Sequence, residues 1–590
     1  MEFREFIWYL LYLYIFYKTL GWVYFLIIAY QNYQKGQRIR KERDSKIYDF
    51  PEENKEVLVC TTIQELVDGQ ISGKFTATDI VNTFAKRCYI IGRKYNYTCD
   101  EMFERALKEA EEKDTQLQSL LDQGRDPRNA LGKLHGVPFS VKDHIWVEGT
   151  ISSLGVSSMA DNVRNKDTYI VQALRKEGAI PLVKGNTPEG CFSFHTTNYI
   201  WGEAKNPWDT SRTCGGSTGG DSALVASGCI PFSIGSDMMG SLRVPALFCG
   251  IYSLFPTLKR LYAKRADTYL QDNIFNFELM KYALGPLARN ASDLTLLSEI
   301  IFSENVYGEY RRYPKIPFNK TLHSNNNNLK IGILNDVGKL SALSKTAERS
   351  IEITAQILED NEHEVANVDL IEDVKEQSQM MLLCGIYTFT IPLRNIWLKS
   401  KDIVNLNTFS SIILGYTPKV IIKIVAVILK LFGEKRNSFL LKSTIEPSAQ
   451  DIMDFTMKRD QMVQKTVEKW KELNLDALIV PTYPIPAFKR DNFEMIKLMP
   501  GGYRLSCFWG FPSGFVPITT VREDEQEYID ANHNDSISNA CAESMKDSKG
   551  MPMGVEVICM PYKEEQVLRI MELLQKDSKF HVKNPYPDIH

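Results

Sequence analysis

An α/β fold built around a central mixed β-sheet is what this sequence predicts, and three observations predict it. Helical segments with apolar residues every three to four positions alternate with short apolar runs. The runs are continuously apolar, as strands buried on both faces are. The alternation resumes after a polar loop, Ser324–Asn328, so the two stretches belong to one fold.

The elements follow in order. Phe6–Tyr30 is an apolar segment long enough to cross a hydrocarbon core of about 30 Å. Lys18 near its middle costs about 3 kcal/mol on insertion, and thirteen Leu, Ile, Phe and Val residues return roughly 4–8 kcal/mol. The segment therefore reads as a transmembrane helix; a cleaved signal peptide and an interfacial helix are the alternatives. Six basic residues follow within 31–46 and only Arg4 precedes, which places the bulk of the chain in the cytoplasm. Residues 1–33 are thus expected to form an anchor and 34–590 one catalytic body.

Residues 77–92 and 101–114 read as amphipathic helices. Gly132–Asp143 gives a short strand ending at Lys142. Residues 170–188 read as helix, turn and strand. A glycine- and serine-rich loop (214–228) leads into the apolar run 230–237. Further on come a strand from Leu329, a helix over 344–362, and buried strands in 475–488 and 550–562. Residues 412–432 stand apart: after Pro418 the sequence is apolar, with Lys419, Lys423 and Lys430 spaced for one helix face. That pattern reads as a helix lying in a membrane surface, or else as an ordinary core helix.

Composition excludes several functions. The net charge of −3 gives no basic field for nucleic acid. Eleven scattered cysteines without a CxxC pair argue against a disulfide framework or a zinc site and fit a reducing compartment. No metal and no cofactor is expected.

The chemistry concentrates in three places. Lys142 ends the strand in GVPFSVKD. Ser217 lies in GGSTGG, a loop whose small residues let backbone N–H groups approach a ligand closely. Ser241 lies in GSDMMGSLRVPALFCG, 24 positions after Ser217. Gly215–Gly219 also satisfies GxSxG, but no buried strand directly precedes it, and none of the later histidines has a distinctive context.

These three motifs, in this order and spacing, resemble the amidase-signature family. The Asn-Pro-Trp run at 206–208 and the segments 511–521 and 550–571 extend the resemblance to the fatty acid amide hydrolase branch, over roughly residues 6–580. It implies a twisted mixed sheet surrounded by helices, with a signature core at about 130–260 and membrane-cap helices at about 404–432. It implies a catalytic triad of Ser241 (nucleophile), Ser217 (proton relay) and Lys142 (base), with a cis peptide before Ser217. Met238, Met239, Gly240 and Cys191 would line the oxyanion and substrate site. An amide is a poor electrophile, so its attack needs an activated nucleophile and a stabilised oxyanion. A buried lysine suits the base role because desolvation disfavours its ammonium form.

The sequence departs from the family in one telling place. Met239 stands where a glycine is usual, and could misdirect an N–H or crowd the acyl group. Thr218 replaces a serine, Asp221 replaces a glutamate, and Ser253–Thr257 replaces Gly-Leu-Lys-Pro-Thr. The implied function is hydrolysis of fatty acid amides, such as N-acylethanolamines or primary amides, to fatty acid and amine. The alternatives are an amidase or esterase for other acyl groups, or a lipid-binding homologue impaired by Met239. The implied partners are a lipid amide substrate, a membrane (that of the endoplasmic reticulum) and a second copy of the chain.

Overall fold

The computed structural model describes residues 3–261, 282–303, 316–335, 341–371, 400–404, 417–443, 448–492 and 501–578, with isolated positions between them and side chains from Val23 onward. Helix α1 (Phe3–Ser45) is one element of 43 residues and runs unbroken past residue 33. Among the described residues no helix is long and apolar enough to cross a membrane. The spanning helix expected over Phe6–Tyr30 is therefore not found. Six tyrosines, two tryptophans and Lys18 dilute that segment, and Tyr and Trp favour the interface over hydrocarbon.

The C-terminal part of α1 is docked on the body. Asn32 donates to the carbonyls of Ser400 and Lys401 at 2.9 and 3.1 Å. Lys35 pairs with Asp161 at 2.9 Å. Arg43 is buried, donates to the carbonyls of Thr98 and Cys99, and lies 4.9 Å from the centre of the Trp201 ring.

Helix α2 (Ala77–Arg87) starts at a capping box between Thr76 and Asp79 and continues into a π-turn, Cys88–Gly92. Strand β1 (Thr98–Glu101) leads into α3 (Phe103–Asp122). The signature region then runs β2 (Pro138–Lys142), α4 (Tyr169–Lys176), β3 (Ile180–Gly185), α5 (Gly219–Ala226), β4 (Phe232–Asp237), α6 (Arg243–Cys249), β5 (Tyr252–Phe255) and β6 (Ala283–Ala288). Beyond it lie β7 (Lys330–Ile333), α7 (Lys345–Asp360), β8 (Glu364–Asn367), α8 (Lys419–Leu431), α9 (Lys435–Ser443), β9 (Ala477–Pro481), α10 (Tyr503–Trp509), β10 (Ser513–Thr520), β11 (Pro552–Cys559) and α11 (Glu564–Ser578).

The strands named above form one eleven-stranded sheet, ordered β1-β3-β2-β4-β6-β5-β10-β11-β9-β7-β8, and Thr197–Asn198 pairs with Gly202–Glu203 in a separate two-stranded sheet. β3, β2 and β4 are mutually parallel, as are β9, β7 and β8. The strands between these two blocks pair antiparallel, from β4–β6 to β9–β11. The mixed sheet agrees with the sequence reading. Nearly every residue of β2, β3, β4 and β11 is buried, which is why these strands read as continuous apolar runs.

Residues 405–416 of the expected membrane cap lie outside the described residues. The remainder forms α8, which starts directly after Pro418. Only Ile422 and Ala426 of α8 are buried, while Val420 is 67% exposed and Leu431 81%. A core helix would hide those side chains, so the core-helix alternative fails. The neighbouring α9 is tied down by Arg436, buried and paired with Asp530 and Asp535.

Candidate active site

The strand order brings the three expected residues to one end of β2 and β4. Lys142 closes β2, and β4 leads through Asp237 into the turn that carries Ser241. Ser217 precedes α5, and the Gly216–Ser217 peptide is cis. Lys142 is fully buried, and its Nζ lies 2.6 Å from Ser217 Oγ. It also lies 3.1 Å from Ser236 Oγ and 3.3 Å from the Ser236 carbonyl. Burial pulls Lys142 below the ordinary lysine value; the neighbouring acidic groups of Cys191, Asp221, Asp237 and Asp143 oppose that without reversing it.

Ser217 is positioned from both sides. Its carbonyl accepts the Thr187 hydroxyl at 2.8 Å. A Cβ on Gly216 would overlap the Ser193 carbonyl, so the loop is packed flat against the 191–195 segment. Ser241 joins the same loop through its carbonyl, which accepts the Thr218 N–H at 3.2 Å. Ser241 is half-buried, and its hydroxyl makes no hydrogen bond among the described residues.

The turn before Ser241 is built on Asp237. Its carboxylate accepts the N–H groups of Gly240 (2.6 Å) and Leu242 (2.9 Å) and the Arg243 guanidinium (3.0 and 3.1 Å). Burial alone would raise Asp237; Arg243 and these donors outweigh it and hold the carboxyl below its usual range. Arg243 in turn pairs with the buried Glu556 at 2.6 Å.

The expected oxyanion residues divide. The Gly240 N–H is already engaged by Asp237, so Gly240 serves the turn by its conformation instead. Its φ is 103°, and a Cβ there would come 2.5 Å from the Tyr503 ring. The N–H groups of Met238, Met239 and Ser241 make no hydrogen bond among the described residues. Met239 is not among the residues with positive φ. No glycine is needed there, and its side chain packs against the apolar cluster that holds Met238, Phe255, Leu505 and Phe508.

Cys191 also reaches the site. It lies in a 3₁₀ turn with φ 61°, and its Sγ is 3.3 Å from Thr187 Oγ1 and 3.8 Å from His144 Nδ1. His144 is fully buried, and burial together with Lys142 and Lys184 keeps its imidazole well below the usual value. It is therefore neutral at pH 7. Sequence reasoning did not find Ser236, Thr187 or His144. Ser236 had a signal, since it adjoins Asp237 in the same motif; Thr187 and His144 had none.

Chemically, the arrangement offers a hydroxyl open to an incoming group, a second hydroxyl beside a desolvated amine, and unengaged N–H groups in the turn before the first hydroxyl. An ammonium donates across the Lys142–Ser217 contact; a neutral amine accepts across it. Among the described residues no group of His, Cys, Asp and Glu is arranged to hold a metal ion.

Known proteins resemble this arrangement and its frame. The family model described as Amidase matches residues 79–568. A fatty-acid amide hydrolase 1 from Sus scrofa is 25% identical over 535 residues, covering 89% of this chain and 87% of that protein. A vitamin D3 hydroxylase-associated protein from Gallus gallus is 30% identical over 308 residues, covering 52% of this chain and 62% of its own. Among solved structures, a fatty acid amide hydrolase superposes with a TM-score of 0.73 at 18% identity, over 95% of this chain and 96% of that one. The native peptide amidase from Stenotrophomonas maltophilia does so with a TM-score of 0.63 at 18% identity, over 90% and 99%.

Proposed function

The chain belongs to the amidase family and is an amidase, and from that premise we propose that it hydrolyses long-chain fatty acid amides at a membrane surface by a Ser-Ser-Lys mechanism. The observation that carries the mechanism is the 2.6 Å contact of the buried Lys142 amine with Ser217 Oγ, beside the turn of Ser241. Neutral Lys142 takes the proton of Ser217 as Ser217 takes that of Ser241. Ser241 Oγ attacks the amide carbon, and the oxyanion collects the N–H groups of Met238, Met239 and Ser241. Ser217 then returns its proton to the leaving nitrogen, and water hydrolyses the acyl-enzyme by the same route.

Apolar surface supports a lipid substrate. Val420, Ile421, Ile424, Val427, Leu431 and Phe432 are exposed on or just after α8, interspersed with Lys419, Lys423 and Lys430. Leu26, Ile27 and Tyr30 are exposed on α1. Lys401, whose carbonyl Asn32 holds, lies with its Nζ 4.6 Å from the Tyr24 ring centre. Exposed apolar rows flanked by lysines suit a bilayer interface with the body on its cytoplasmic side, and the endoplasmic reticulum is our proposed site.

A fluorophosphonate reacts with activated serines, so it tests the reading directly. The adduct is expected on Ser241 when the labelled chain is digested and mapped by mass spectrometry. Long-chain primary amides in vesicles should slow labelling more than acetamide does. An adduct on another residue, or none, would overturn the mechanism; equal competition by acetamide would overturn the lipid specificity.

Met239 bears on the reading that this chain is impaired. Because Met239 has no positive φ and packs in a cluster, Met239→Gly is expected to give no gain in turnover. It should lower stability by about 1–3 kcal/mol through lost packing and added backbone freedom. Turnover and thermal unfolding of the variant check both points, and a several-fold gain in turnover would restore the impairment reading.

A further inference from the structure

Lys142 faces four acidic groups, and three of them differ from the fourth. Asp237, from β4, is neutralised by Arg243 at 3.0 Å. Asp143, next to Lys142 in the chain, has the buried Lys184 of β3 as its foremost opposing charge. Cys191 contributes a thiol from its 3₁₀ turn. Asp221, from the first turn of α5, has no cation within ion-pair distance among the described residues.

The placement of Asp221 is specific. Its Oδ1 accepts the hydroxyls of Ser140 at 2.7 Å and Ser233 at 2.8 Å. Ser140 lies two residues before Lys142 on β2, so both side chains leave the same face of the strand. Ser233 is the register partner of Ser140 on β4, the strand that ends in Asp237. The helix bearing Asp221 begins two residues after Ser217. One carboxylate thus joins the strand of the lysine, the strand leading to the nucleophile turn, and the helix that follows the relay serine. Its Oδ2 is buried with no hydrogen-bond partner among the described residues. It lies against Gly185, where a Cβ would overlap it.

We propose that Asp221 is the positioning residue and counter-charge of the lysine base: it aligns β2, β4 and α5 through its two serines, and it stabilises the ammonium that forms when Lys142 takes the proton. The inference rests on the Ser-Ser-Lys reading. It supplies what that reading lacks, since a lysine that accepts a proton in a buried site needs an opposing charge not already neutralised. Burial pushes Asp221 up to about 6, with Ser140, Ser233 and Lys142 pulling it down, so its charge is present at neutral pH. Cys99 on β1 also faces it, and burial holds that thiol neutral.

The test is the rate of fluorophosphonate labelling of Ser241 between pH 5 and 10, using the full chain. The acid limb of the wild type reports the loss of a proton from Lys142. Asp221→Asn keeps an acceptor for the two serines and removes the charge, so the limb should move to lower pH by about one unit. The plateau rate should fall up to about tenfold. Ser233→Ala keeps the carboxylate but removes a donor that favours its ionised form; it should move the limb the same way by less, and it decides the matter if the Asn variant does not fold. Uniformly slower labelling with an unmoved limb would overturn the proposal and leave Asp221 purely structural. A wild type unlabelled at every pH would instead overturn the serine-hydrolase reading beneath it.

Discussion

Lys142→Ala is expected to lower kcat/KM for amide hydrolysis by about 10³–10⁴-fold while leaving the fold intact. The magnitude is the upper range for removing a general base, because Ser217 loses its 2.6 Å amine partner with it. Lys142→Arg should not rescue, since a guanidinium stays protonated at any accessible pH. Activity within tenfold of wild type would sink the relay. The same residue makes an opposite stability prediction. Its folded value lies below the ordinary 10.5, so the unfolded chain binds more protons than the folded one between those two values. Lys142 therefore costs stability at neutral pH, and that cost fades as pH rises toward 10.5. Lys142→Met should be inactive yet more stable at pH 7, and the difference should shrink at pH 10. Denaturant unfolding at the two pH values checks it.

Arg243→Ala is expected to be the most destabilising single change in the site, by about 3–5 kcal/mol. Arg243 is fully buried between Asp237 and Glu556, themselves fully buried. Truncation strands two carboxylates in the interior and releases Asp237, which holds the Gly240 and Leu242 N–H groups. The turn carrying Ser241 should loosen, so fluorophosphonate labelling should fall together with the unfolding midpoint. Glu556→Gln should cost less, because Asp237 remains paired. For a chain of 590 residues a loss of about 3–5 kcal/mol lowers the midpoint by only about 2–4 degrees, so a midpoint indistinguishable from wild type, with an unchanged denaturant midpoint, would contradict the account.

Much of the site was legible because its residues sit at ends of recognisable elements. Lys142 closes an apolar run with a polar residue, and Ser217 and Ser241 lie in loops too rich in glycine for regular structure. The mixed order of the sheet was legible only as a class. Pairings such as β4 with β6, or β10 with β11, join segments far apart in sequence and leave no local trace. The Asp221–Ser140–Ser233 link was invisible for the same reason: three ordinary polar residues on three elements acquire meaning only when packed together. The backbone conformation at Met239 was not legible, because a methionine in place of a glycine says nothing about φ, and here none above zero is required. The spanning helix was expected from the leucines, isoleucines, phenylalanines and valines of Phe6–Tyr30, which six tyrosines and two tryptophans interrupt.

The unbroken course of α1 has a mechanical consequence. Its 43 residues make a rod of about 65 Å, and Asn32, Lys35 and Arg43 fix the last third of that rod to the body. A body joined by a floppy tether tumbles and must find its orientation at each encounter. A body joined to a rod keeps one attitude toward whatever grips the far end. Gripping the first turns of α1 would thus set the direction in which the exposed row of α8 faces, and would convert a three-dimensional search for substrate into a sweep across a plane.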